Sequence, residues 1–120
     1  MKDISPDNIK TFIRLINEAR YPIIVTHAKP DGDAIGSSVA MFHFLGLCGK
    51  EDRLLILNDN CPRFLEFIRE SIPQESLIIR DGNQQKAFDS IGKADLIICL
   101  DFHAFHRTGM LEKPLAESKA

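Results

Sequence analysis

Cysteine, long apolar runs and an excess of either charge are all scarce in this chain of 120 residues. The three cysteines, Cys48, Cys61 and Cys99, show no metal-binding pair spacing, and an odd number does not make a disulfide framework. Cys99 sits in an apolar run, where a thiol behaves as a small hydrophobe. All three are expected to be reduced, as in a cytoplasmic protein. No apolar stretch approaches the roughly 20 residues that span a bilayer. Met1 to Lys10 is polar, without the apolar centre of a signal peptide. The expected setting is therefore the cytoplasm, with no membrane partner. A formal net charge of −2 argues against a protein that grips long nucleic acid by charge alone, a task that needs a basic surface. Short oligonucleotides and phosphorylated nucleotides stay open as partners, because a metal site can supply positive charge locally. Repeats, low-complexity tracts and linkers are missing as well, so the chain reads as one domain.

What is present is an ordinary globular composition, 44% hydrophobic and 27% charged. Ser5-Pro6-Asp7 is a helix start, and Ile9, Phe12, Ile13 and Ile16 follow at helical spacing, with an end near Ala19 or Arg20. Tyr21 to His27 reads as a strand whose continuous apolar centre suits cover on both faces. A turn-rich loop, Ala28 to Asp33, leads into a helix from about Ala34 to Leu45, ended by Gly46 or Gly49. Leu54 to Leu57 is a second strand, and Pro62 fits the first turn of a helix carrying Phe64, Leu65, Phe67 and Ile68. Leu77 to Ile79 reads as a short strand, Asp81 to Asp89 as a weaker helix, and Leu96 to Leu100 as the clearest buried strand. The segment from Met110 to Ala120 looks helical despite Pro114. Strands alternating with helices predict an α/β fold, a doubly wound, mainly parallel sheet with helices on both faces. So apolar a strand arriving so late predicts a sheet that continues, and hence a truncated chain.

In open α/β sheets ligands bind beyond the carboxyl ends of the strands. His27, Asp31 and Asp33 follow the first strand, Asp59 the second and Asp101 the last. If the first and last strands are neighbours, His27, Asp31, Asp33 and Asp101 converge on one crevice. Three carboxylates and one imidazole make a mixed oxygen and nitrogen donor set, suited to Mn²⁺ or Mg²⁺ rather than a thiolate-loving metal. A shared carboxylate, for which Asp101 is well placed, can hold two ions about 3.5–4 Å apart, as in many phosphatases and nucleases. Without cations such carboxylates would repel one another strongly. Asp33 and Asp101 are the expected catalytic acids, and the start of the following helix suits a phosphate.

Each residue also has a plainer role. Asp33 could cap the helix, Asp31 could be a turn residue, and His27 could be a hydrogen-bonded strand-end histidine. Asp59, between Asn58 and Asn60, suits turn and capping chemistry. His103 and His106 read as loop histidines, with His103 a candidate substrate contact. Arg107 could bind phosphate through two donors, or be a surface arginine. Asp101 is hardest to dismiss, because an acid that ends so apolar a strand is rarely there for packing.

The segment His27-Ala28-Lys29-Pro30-Asp31-Gly32-Asp33-Ala34-Ile35-Gly36-Ser37 resembles the first motif of the DHH phosphoesterase family. Leu96 to Asp101 is similar to its second motif, and Arg107-Thr108-Gly109 to the Arg-x-Gly that often follows. The resemblance covers roughly residues 10 to 112, and is nearest to the bifunctional oligoribonuclease and pAp phosphatase subgroup. It implies that His27 and Asp31 hold one Mn²⁺, that Asp33 holds a second, and that Asp101 bridges them, with Mg²⁺ a substitute. Such enzymes release mononucleotides from very short RNA or a phosphate from 3′-phosphoadenosine 5′-phosphate, and other members cleave cyclic dinucleotides, polyphosphate or single-stranded DNA. The Asp-His-His segment that names the family is expected after Ala120, together with a substrate-binding domain, so this chain alone is expected to be inactive. Phe102-His103 departs from the small hydroxyl residue expected after Asp101. Substrate and metal identity stay open, as does oligomeric state, with a homodimer one arrangement. Two other classes compete: a non-catalytic nucleotide- or metal-binding regulatory module, and a receiver-type signalling domain. The spacing from Asp31 to Asp101 is too long for the receiver, which also needs a strand-end lysine.

Overall fold

The computed structural model describes residues 5–27, 32–58, 62–100 and 111–120. Helix α1, Pro6–Glu18, begins where the sequence signals it: the Ser5 hydroxyl accepts from the Asn8 amide at 3.1 Å, and Pro6 occupies the first turn. Strand β1, Pro22–Val25, is buried along its whole length. Helix α2 spans Gly32–Leu47, two residues longer at each end than its apolar pattern marks. Its stop is a left-handed Gly49 at φ +81. There the Lys50 amide reaches back to the Leu45 carbonyl and the Gly49 amide to that of Gly46.

Strand β2, Leu54–Leu57, has the expected bounds. Pro62 precedes α3, Leu65–Ser71, in a turn rather than standing inside the helix. A 3-10 turn, Gln74–Ser76, leads into β3, Leu77–Ile79, and α4 covers Gln84–Lys93. Strand β4 is Leu96–Cys99, and α5 is Glu112–Glu117. Pro114 is tolerated in α5 because it falls in the first turn, where amides have no helical partner.

The four strands are parallel, in the order β3-β2-β1-β4. Their side chains alternate into two cores. Ile24, Leu55 and Leu57 face the cluster built on Ile35, Val39, Phe42 and Leu45 of α2 and Ile68 of α3. Ile23, Val25, Ile56 and Ile78 face Ala87 and Ile91 of α4 and Leu115 of α5. Helices thus cover both faces, and the α/β, doubly wound parallel architecture read from the sequence is the observed one.

One expectation needs correction. Leu96 to Leu100 reads as the clearest buried strand, yet among the described residues every residue of β4 is half-buried, and it pairs there with β1 alone. The apolar stripe of α1 also turns outward in part. Ile16 is 3% exposed, but Ile9 and Ile13 are 45% and 51% exposed, and Phe12 stacks on the exposed Phe44 of α2.

Candidate metal centre at the carboxyl edge of the sheet

The chain runs β1 to β2 to β3 in one direction, then returns to place β4 on the other side of β1. The carboxyl ends of β1 and β4 are therefore the point where strand order reverses, the place where open α/β sheets bind ligands. The condition set by the sequence is met: the first and last strands are neighbours, with Val25 opposite Cys99.

His27 follows β1 by two residues and is 6% exposed. Asp33 lies on the surface in the first turn of α2, one residue inside the helix that starts at Gly32. It is thus not the residue that caps the helix from outside, and its charge is favourable at the positive end of the helix dipole. Asp31, Asp101, His103 and Arg107 fall outside the described residues, as do Asp59, His106 and Cys61. Among the described residues no three His, Cys, Asp or Glu side chains gather as a metal-holding group. The described members of the expected donor set are His27 and Asp33.

Among the described residues the buried polar side chains are Thr26, His27, Ser38 and Asn58, which are the ends of β1 and β2 and the second turn of α2. Burying such groups is unfavourable unless they are hydrogen-bonded, and two of the four, Thr26 and Asn58, are tied together. The Asn58 amide donates to Thr26 Oγ1 at 3.0 Å, and Asn58 Nδ2 to the Thr26 carbonyl at 3.4 Å. Arg80, just past β3, donates Nε to the Asn58 carbonyl at 2.7 Å and to Asn58 Oδ1 at 2.9 Å. Ser38 Oγ has no partner among the described residues. An imidazole and a carboxylate are donor types that suit a hard or borderline cation.

Thr26, Asn58 and Arg80 are not among the candidates the sequence offers, where Asn58 figures only as a neighbour of Asp59. A signal was available: each directly follows an apolar run that ends a strand. Nearby, Phe64 packs beside Gly32, its ring 3.6 Å from where a Cβ would stand, and Arg63 lies 5.8 Å from that ring. The turn before α3 thereby closes over the start of α2. At the last residue of β4, burial pushes the Cys99 thiol pKa up, which keeps it a protonated, apolar-like side chain. Cys48 and Cys99 are both free.

Residues 22–117 match the profile of the DHH family, N-terminal domain. The chain belongs to the DHH family. It is similar to the bifunctional oligoribonuclease and PAP phosphatase of Thermus thermophilus, 27% identical over 108 residues, which are 81% of this chain and 32% of that protein. The crystal structure of an exopolyphosphatase-related protein from Bacteroides fragilis superposes with a TM-score of 0.86 and 32% identity, covering all of this chain and 34% of that one. The chain spans about a third of the length of these DHH relatives. Among the described residues no helix is long and apolar enough to cross a membrane.

Proposed function

We propose that this DHH domain is the metal-holding part of a Mn²⁺- or Mg²⁺-dependent phosphoesterase acting on short oligonucleotides or phosphorylated nucleotides in the cytoplasm. The supporting observation is the pairing of β1 with β4, which makes the end of β1, with His27 and Asp33 beyond it, part of the switch-point crevice. In the sequence Asp101 follows Cys99 by two residues, as His27 follows Val25. His27 and Asp31 hold one cation in this reading, Asp33 the other, and Asp101 both. When bound, a pair of such ions lowers the pKa of water and neutralises the phosphoryl oxygens. The chain's own contribution is to fix the ligands, to present the first-turn amides of α2 to a phosphate, and to bind substrate through Arg107 and His103. The T. thermophilus name favours oligoribonucleotide and pAp substrates, whereas the B. fragilis name points to polyphosphate.

Hydrolysis of pAp, a short oligoribonucleotide, polyphosphate and bis(p-nitrophenyl) phosphate by the full-length gene product, with Mn²⁺ and with a chelator, tests the reading. Mn²⁺-dependent turnover of pAp or the oligomer, lost in Asp101→Ala, is the expected result. Turnover that survives the chelator, or that Asp101→Ala leaves intact, would contradict it. A folded gene product that binds nucleotide but hydrolyses none of the four would mark a regulatory module instead.

A further inference from the structure

We propose that Thr26, Asn58 and Arg80 form a positioning relay that sets the orientation of His27 and, through it, the affinity of the site for a divalent cation; this rests on the metal reading above. The relay runs across three strand ends. Thr26 follows β1, Asn58 follows β2 and Arg80 follows β3, so the hydrogen bonds tie together residues 32 and 22 positions apart in the chain. Thr26 is held at three atoms: its amide donates to the Ile56 carbonyl at 3.3 Å, its hydroxyl accepts from the Asn58 amide, and its carbonyl accepts from Asn58 Nδ2. That carbonyl belongs to the peptide unit leading into His27. Fixing it fixes the backbone from which the imidazole projects, because a planar peptide leaves few soft torsions between them.

Asn58 is held in turn. The Arg80 guanidinium bridges its two oxygens, and Arg80 is itself anchored by its amide on the Leu57 carbonyl at 2.8 Å. A charged donor makes these the stronger bonds of the strip. Thr26 and Asn58 are each 1% exposed, so water cannot readily replace a lost partner. Groups that touch a metal ligand or its backbone without touching the metal typically tune affinity about 10- to 100-fold.

The test is calorimetric titration of the full-length gene product with MnCl₂, alongside thermal denaturation in chelator. Arg80→Ala and Thr26→Val are each expected to weaken Mn²⁺ binding by about 10- to 100-fold, and Thr26→Ser, which restores the hydroxyl, to recover it. Asp95→Ala, which unties the opposite edge of the same sheet, is expected to lower the melting temperature and leave Mn²⁺ affinity unchanged. Wild-type affinity in both Arg80→Ala and Thr26→Val would overturn the relay, and so would an equal loss in Asp95→Ala. A wild-type protein that binds no Mn²⁺ would instead overturn the metal reading on which the relay stands.

Discussion

The two edges of the sheet use similar polar chemistry to opposite ends. At the amino edge the Asp95 carboxylate accepts the amides of Arg20 and Tyr21, at 2.7 and 2.9 Å, and so locks the start of β4 to the start of β1. Beside it Lys50 Nζ donates to the carbonyls of Asn17 and Ala19 and satisfies the end of α1. These bonds are mostly exposed, and each closes a backbone group that the elements leave open. At the carboxyl edge Thr26 and Asn58 are buried, their hydrogen bonds cross from strand end to strand end, and the buried His27 follows directly. An edge that only needs closing can be closed with solvent-facing groups. Buried polarity is costly unless it is hydrogen-bonded, so the carboxyl edge depends on its internal bonds in a way the amino edge does not.

Several substitutions would break or sharpen that contrast. The largest effect should come from His27→Ala or Asp101→Ala in the full-length protein, with Mn²⁺-dependent phosphoester hydrolysis falling to background while the circular dichroism spectrum is kept. If either variant unfolds, the carboxyl edge is structural after all. Phe42, fully buried in the core between the edges, should cost about 3–5 kcal/mol as Phe42→Ala, seen as one cooperative transition at lower denaturant. Asp95→Ala should cost less, about 1–2 kcal/mol for two exposed bonds to a charged acceptor, with hydrolysis unchanged once the protein is folded. The smallest effect concerns the thiols. Because burial raises the Cys99 pKa, its thiolate fraction at neutral pH is reduced. Iodoacetamide followed by peptide mass spectrometry should modify the exposed Cys48 well before Cys99, and equal rates would show that the end of β4 is open to solvent.

Much of this was legible in the sequence. Ser5 as a cap, the bounds of β2 and the parallel α/β order all rest on local signals, and the structure has them where those signals lie. His27 and Asp33 could be proposed because the loop between them is short and chemically pointed. The relay was not legible, since pairing Thr26 with Asn58 and Asn58 with Arg80 requires the strand order, which no local pattern encodes. Strand β4 misled for a related reason: composition reports how apolar a strand is, not how many neighbours it has. The outward part of α1 is a third case, where helical spacing named the stripe but not what covers it.

The decisive measurement is anomalous diffraction from crystals of the full-length gene product grown with Mn²⁺. The account expects two peaks about 3.5–4 Å apart beyond the carboxyl ends of β1 and β4, with His27 and Asp101 in coordination reach of them. Peaks elsewhere, or none at this edge under saturating Mn²⁺, would contradict it.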